Sequence, residues 1–226
     1  MTASTSGVPV RAMSDSSRWP GIAGILFVPL FIAGMVLSAP GVPDSDEPIE
    51  EWVEWVNDGG KQAAAFISVY LLALAAIAFV IFSLGLVRRI RDGGSERNVA
   101  AGSVLGLSVL GSVLLVAGGV ALNAGVVAYL FDDNLPDPTD VVVFVQAMSI
   151  GYGTILVGAA LAFAAAIAIS TAALRAVTPT WFTIAGYVAA VILLASVIFI
   201  PIVLLPLWVL GASILMLRST ATRIPA

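Results

Sequence analysis

The sequence predicts an all-α fold, a polytopic transmembrane helical bundle of six spans with a short amphipathic interfacial helix between spans 1 and 2. Composition is the first reason. Of the 226 residues, 60% are hydrophobic and 11% are charged, against about 25% charged in an ordinary soluble domain. The second reason is that the apolar residues fall into long runs, and a helix of about 20 apolar residues crosses a bilayer.

The predicted transmembrane domain covers 18–219. It lies between a disordered, Ser- and Thr-rich cytoplasmic tail at 1–17 and a second cytoplasmic tail at 220–226. The predicted spans lie at about 19–39, 62–87, 98–130, 141–174, 181–200 and 202–217. Pro29 is near the middle of the first span and is expected to kink it.

The last apolar stretch, 181–217, is predicted as two spans. As one straight helix of about 37 residues it would be about 55 Å long, whereas the hydrocarbon core of a bilayer is about 30 Å thick. Pro201 and Pro206 interrupt the stretch, and a tight turn near Ile200 is expected to join its halves. The alternative is a single bent span, which would place the C-terminus on the other side of the membrane.

A short helix is predicted at 47–58, before span 2. Its apolar residues recur at i, i+3, i+4 and i+7, which is one helical face, and they are Ile49, Trp52, Val53 and Val56. Asp46 is expected to cap it and Gly59-Gly60 to stop it. About twelve residues cannot cross a bilayer, so the helix is predicted to lie flat at the interface. It is either a connecting helix on the rim of the bundle or a docking surface for cations or a basic partner.

Charge sorting predicts the orientation. With six spans and the N-terminus inside, all nine arginines are cytoplasmic and Lys61 alone is outside, in keeping with the excess of basic residues in cytoplasmic loops. Eleven of the fourteen acidic residues are then outside. The sequence therefore predicts a multi-pass protein of the bacterial plasma membrane with both termini cytoplasmic. The predicted interfacial anchors are Trp19, Trp52, Trp55 and Trp181.

The residue types argue against several classes of function. The chain has no Cys and no His, which removes thiolate chemistry and the commonest metal ligand and proton shuttle. No Asp, Glu, Lys or Arg lies within a predicted span, although pumps, ion-coupled transporters and voltage sensors depend on such groups. The sequence therefore predicts no enzymatic activity, no metal site and no cofactor.

Neutral polar residues near the outer ends of spans 3 and 4 form a candidate pocket. They are Asn123, Gln146, Ser149 and Tyr152. One interpretation is hydrogen bonding between helices, which is common in membranes. The other is a pocket near the outer leaflet for a lipid headgroup or a small polar solute.

Acidic residues are expected to form an outer surface for a basic partner or for cations, although a solvated acidic turn is the plainer interpretation of the aspartates. The candidates are Glu50, Glu51, Glu54, Asp132 and Asp133. Spans 3 and 4 are each predicted about ten residues longer than a bilayer requires. The extra residues at the outer ends of these two spans are expected to project from the membrane as a helical hairpin. The helix at 47–58 is expected to pack against this hairpin.

Small residues at helix-packing spacing lie on span 3, at Gly102, Gly106 and Gly111. This spacing favours close approach of membrane helices. The approach is either within the bundle or between subunits.

Three features together resemble uncharacterised membrane proteins common in actinobacteria. They are the acidic tryptophan motif at 50–55, the arginine-rich loop after span 2, and the segment 204–210 before Arg218. The resemblance implies six helices and an actinobacterial cell envelope. It carries over no functional residues, because the family has no assigned activity.

The function expected from these features is that of an accessory or scaffold subunit of a larger cell-envelope membrane complex. The alternative is a small transport or lipid-binding component that uses the candidate polar pocket. The expected partners are the lipid bilayer and either a membrane-protein complex or further copies of the chain, with no nucleic acid.

Overall fold

The computed structural model describes residues 18–38, 43, 47–124, 138–195 and 200–221, and all regular structure in them is helical. The described helices are α1 (Trp19–Leu37), α2 (Ile49–Asn57), α3 (Gly59–Arg91), α4 (Asn98–Leu122), α5 (138–174), α6 (Thr180–Leu193) and α7 (Leu204–Ala221). Short 3₁₀ turns at Ser95–Arg97 and Ile200–Val203 lead into α4 and α7. The prediction of an all-α fold is confirmed.

Helix α5 changes its hydrogen-bonding pattern halfway. It is α-helical over Pro138–Gly153 and Ala160–Leu174, and Thr154–Ala159 between them form a π-helix. Wide turns of this kind are rare and usually single. This one lies where α5 packs on α4, so it sets which face of each half of α5 meets that helix.

Four helical stretches in the described residues are long and apolar enough to cross a membrane. They are Trp19–Leu37, Gly59–Arg91, Ser95–Leu122 and Val142–Leu174. Helices α6 and α7 are apolar but shorter. The 14 residues of α6 extend about 21 Å, less than the roughly 30 Å of a hydrocarbon core. The fold is therefore compatible with a multi-pass membrane protein, with four crossings supported by helix length.

All the described helices except α2 form a closed ring. Helix α1 packs against α3 and α7, α4 against α3 and α5, and α6 against α5 and α7. Neighbours run antiparallel. In the pair α1 and α3, Pro20 lies against Gly85, whereas Gly34 near the other end of α1 lies against Leu72. Ser68 of α3 also donates a hydrogen bond to Gly34 O at 2.9 Å, which ties the two helices together there.

The first and last helices meet at one end of this ring. Leu217 of α7 lies against Gly21 of α1. Arg89, near the end of α3, donates a hydrogen bond to Met216 O of α7 at 2.9 Å. The start of α1 and the ends of α3 and α7 therefore share one end of the bundle.

Aromatic side chains fill the centre of the ring. Phe79 of α3 contacts Phe163 of α5 with ring centroids 4.6 Å apart, and Phe27 of α1 at 5.3 Å. One turn further along α3, Phe82 meets Trp208 of α7 edge to face at 6.2 Å. All five side chains are buried. Helix α3 thus holds three other helices through one connected aromatic cluster, and each such pair is worth about 0.5–1.5 kcal/mol beyond its buried area.

Helix α4 ends at Leu122, and residues 125–130 of the predicted span 3 lie outside the described part. The physical reason that α4 ends there is Asn123. Its backbone N–H bonds to Val120 O in a tightened last turn, and its side-chain Nδ2 donates to Gly119 O at 2.7 Å, taking the carbonyl that an α-helical amide would use. The hairpin tip with Asp132 and Asp133 lies outside the described residues.

The two glycines expected to stop the short helix instead begin the next one. Helix α2 ends at Asn57, and α3 begins at Gly59. Asp58 causes this, because its carboxylate accepts hydrogen bonds from Gly60 N at 2.8 Å and Lys61 N at 3.0 Å, which is the action of a helix N-cap. Span 2 therefore starts three residues earlier than predicted. Asp46, the predicted cap of the short helix, lies outside the described residues.

The last apolar stretch is interrupted, as its length and prolines predicted. Helix α6 ends at Leu193, and α7 begins at Leu204 after the 3₁₀ turn. The two helices pack antiparallel, since Phe182 at the start of α6 lies against Gly211 in the second half of α7. Residues 196–199 lie outside the described part. Helix α1, by contrast, runs unbroken through Pro29.

A test of the packing comes from two glycines on α5. A Cβ at Gly151 would lie 2.5 Å from Leu122 N and 2.8 Å from Gly118 O, both backbone atoms of α4, whereas a Cβ at Gly153 meets nothing within 4 Å. Gly151→Ala is expected to lower the free energy of unfolding by about 1–3 kcal/mol, because α4 and α5 must move apart. Gly153→Ala, the matched control, is expected to leave it unchanged or raise it slightly.

The measurement is unfolding in mixed detergent micelles, followed by circular dichroism. Equal unfolding free energies for the two variants would contradict the close contact between α4 and α5.

Candidate functional site

The two ends of the bundle carry opposite charge. Seven arginines lie at the end where α1 begins and α3 and α7 finish, and they are Arg18, Arg88, Arg89, Arg91, Arg97, Arg175 and Arg218. We call this end the basic end. Most acidic residues of the described part lie at the opposite end, which we call the acidic end. Asp92 and Glu96 are the exceptions, in the loop between α3 and α4.

At the acidic end, helix α2 packs against the first part of α5. Trp52 and Trp55 form a small buried cluster with Phe144 and Met148 of α5. The two indoles meet edge to face at 6.3 Å. The short helix therefore contacts the span 4 side of the predicted hairpin, and the tip of that hairpin lies outside the described residues.

The carboxylates of α2 face solvent. Glu50, Glu51 and Glu54 are all exposed. The negative charge of Glu47 raises the pKa of Glu51 above its ordinary value, with smaller contributions from desolvation, a hydrogen bond with Glu47 and the charge of Glu54. Since the ionised carboxylates repel one another, a cation or a basic partner at this surface would relieve that repulsion.

Asp58 joins α2 to α3 and is held ionised. Hydrogen bonds from the backbone N–H groups of Lys61 and Gly60 lower its pKa below the ordinary 3.8. A depressed pKa means that the cap stabilises the fold above pH 3.8 and is lost as the pH falls through the lower, folded-state pKa. The junction is therefore intact at neutral pH.

The four predicted tryptophan anchors divide into two pairs. Trp19 and Trp181 are 65% and 63% exposed, at the starts of α1 and α6, where an interfacial anchor belongs. Trp52 and Trp55 are only 7% and 4% exposed. Their rings contact α5 instead of facing outward, because α2 has an apolar side that α5 covers.

The candidate polar pocket is not assembled. Asn123 is buried at the end of α4, and its Oδ1 has no hydrogen-bond partner. Gln146, Ser149 and Tyr152 lie on an exposed face of α5, and Ser149 bonds its own helix, donating to Val145 O at 3.0 Å. The structure thus places Asn123 inside the bundle and the other three side chains on the exposed side of α5.

The small residues of α4 face two ways. Gly111 lies against the ring of Phe163, inside the bundle. A Cβ at Gly102 or Gly106 would meet nothing within 4 Å, so both glycines face outward. Exposed Val99 and Leu110 lie beside them on the same face.

A cleft at the basic end was missed by sequence reasoning. It lies between α3, α5, α6 and α7, has a cavity volume of about 40 Å³, and is lined mainly by apolar side chains. The polar residues in its lining are Arg89, Ser170, Thr171, Thr178 and Trp208. Sequence reasoning placed Trp208 in the 204–210 segment and gave no signal that a residue of α5 would meet it.

No group of three acidic, His or Cys side chains that could hold a metal occurs in the described part of the chain. Comparisons with family models, with curated protein sequences and with solved structures found no match. The class of the protein therefore rests on the fold itself, an antiparallel ring of apolar helices compatible with a multi-pass membrane protein.

Proposed function

We propose that the chain is a non-enzymatic integral membrane protein that crosses a bacterial plasma membrane six times and acts as an accessory or scaffold subunit of a larger envelope complex. The observation that carries the proposal is the outward face of α4. Gly102 and Gly106 have no neighbour within reach of a Cβ, and such a face admits a second helix at short distance. The partner is another membrane protein or a second copy of the chain.

The antiparallel ring supports six crossings. Each helix of the ring reverses the direction of its neighbours, and α7 returns beside α1 and α3, where Met216 O accepts the hydrogen bond from Arg89. An even number of crossings follows if each reversal takes place across the bilayer. The excess of basic residues at this end then assigns it to the cytoplasm, and the resemblance to actinobacterial membrane proteins points to the same location.

The acidic end supplies the second contact surface in this proposal. Helix α2 is fixed to α5 by its buried tryptophans, so Glu50, Glu51 and Glu54 are presented outward on a supported helix. Repulsion among the acids favours a basic segment of a partner. The alternative function, transport or lipid binding at the outer polar residues, has less support because Asn123 is buried whereas Gln146, Ser149 and Tyr152 are exposed.

The α4 face is tested with the double variant Gly102→Leu, Gly106→Leu. Two leucines keep a partner helix away without touching the bundle, so we expect recovery of the partner or second copy in mild detergent to fall about tenfold. Gly153→Leu is the matched control, because it adds the same side chain at another open glycine on α5.

Thermal unfolding of both variants should match the wild type. Recovery of wild-type protein as a lone monomer, or equal recovery of the partner by the double variant, would contradict the proposal.

The acidic surface is tested by replacing Glu50, Glu51 and Glu54 together with glutamine. Since α2 is held by Trp52 and Trp55 on its other side, the fold should survive. Association with a basic partner should weaken several-fold at low salt and less at high salt, because exposed charges are screened. Loss of folding would show that the carboxylates are structural, and unchanged association would exclude them from the contact.

A further inference from the structure

The outward face of α3 is a hydrophobic stripe that ends in two arginines. Exposed hydrophobic side chains recur along this helix at intervals of three and four residues, and they are Ile67, Tyr70, Leu74, Ile77, Ile81 and Leu84. This spacing keeps them on one helical face. Arg88 and Arg91 continue the spacing and are also exposed. The two guanidinium groups therefore belong to the face of α3 that the other helices leave uncovered.

The length of the stripe matches the apolar layer of a membrane. From Ile67 to Leu84 the helix rises about 26 Å, close to the roughly 30 Å of a hydrocarbon core. Arg88 lies about 6 Å further along the helix axis, and the headgroup layer on each side of the core is about 5–8 Å thick. A bilayer whose lipid tails cover the stripe therefore brings its headgroups to Arg88 and Arg91.

Two other helices have an arginine in the equivalent place. On α1, Arg18 precedes exposed Ile22 by one turn, and the backbone N–H of Ile22 donates to Arg18 O at 3.1 Å. On α7, Arg218 follows exposed Ile214 by one turn and is itself exposed. We call these residues of the three helices the arginine belt, and they are Arg18, Arg88, Arg91 and Arg218.

The arginine belt lies at one level of the bundle. Pro20 of α1 lies against Gly85 of α3, and Leu217 of α7 lies against Gly21. Each belt residue stands within two turns beyond these contacts on its own helix, toward the basic end. Exposed Trp19 is at the same level, and tryptophan is enriched where membrane and water meet.

The belt belongs to an end of the bundle with excess positive charge. Among the described residues of the basic end, seven arginines against Asp92 and Glu96 leave a net charge of +5. Both acidic residues lie beyond Arg91 along the chain, further from the stripe. Basic side chains beside a membrane attract anionic lipid headgroups, and a guanidinium can bind a phosphate through two N–H groups at once. A partner that fits the belt therefore has an anionic phosphate attached to an apolar chain.

We propose that the basic end binds anionic phospholipid, with a headgroup phosphate held by Arg88 and Arg91 and its acyl chains along the adjoining half of the α3 stripe. Arg18 and Arg218 hold further headgroups of the same leaflet. Free phosphate offers the same anionic oxygens but has no chain to cover the stripe, so the lipid is the ligand. The inference requires the ring to lie in a bilayer and does not depend on the partner subunit proposed above.

The test uses the full chain, delipidated in mild detergent and titrated with phosphatidylglycerol, with bound lipid counted by native mass spectrometry. Arg88→Gln removes one charge from the belt, so affinity for phosphatidylglycerol should fall about fivefold. Arg88→Lys keeps the charge and should retain most of the affinity. Arg97→Gln is the matched control, because the Arg97 guanidinium lies against Gly93 in the loop, away from the stripe, and its loss should leave the affinity nearly unchanged.

Thermal unfolding without lipid separates binding from folding. Neither Arg88 nor Arg97 belongs to the buried core, so both glutamine variants should unfold like the wild type. Phosphatidylcholine has no net charge and should bind more weakly than phosphatidylglycerol. The proposal is overturned if Arg88→Gln binds phosphatidylglycerol as tightly as Arg97→Gln does, or if Arg88→Lys binds it as weakly as Arg88→Gln. It is also overturned if inorganic phosphate stabilises the protein as well as the lipid does.

Discussion

The contact between Phe79 and Phe163, 4.6 Å between ring centroids, closes the centre of the bundle, and the rest of the structure depends on it. In a bilayer, lipid tails are as apolar as a leucine side chain, so helices associate through close packing more than through burial from water. Phe163 also lies against Gly111 of α4. One aromatic contact therefore fixes the positions of three helices. Glycines elsewhere in the ring allow the remaining helices to pack at short distance.

The antiparallel arrangement gives the protein two ends of opposite charge. Each turn between helices lies at one end or the other, and the arginines are mostly at the basic end and the carboxylates mostly at the acidic end. The side of the ring is left apolar, and along α4 it contains glycines that no side chain covers. The outward face of α4, the acidic end and the cleft at the basic end are thus three separate regions of one structure.

Much of the fold could be predicted from the sequence because apolar length and charge placement are local signals. The break in the stretch 181–217 followed from its length and prolines. The end of α4 did not, since it depends on the hydrogen bond from the Asn123 side chain to Gly119 O. The cleft at the basic end was harder still. Its polar residues come from α3, α5 and α7, and only tertiary packing shows that Thr171 and Trp208 both lie against Gly186.

The central claim is that the chain crosses the membrane six times, with the basic end inside. The sequence has no cysteine, so single cysteines placed at Ser95, Arg218 and Glu54 can be labelled in intact cells with an impermeant maleimide. We expect Glu54→Cys to react in intact cells, and Ser95→Cys and Arg218→Cys to react only after lysis. Reaction of Arg218→Cys from outside, with Ser95→Cys protected, would mean that 181–217 crosses once and would contradict the claim.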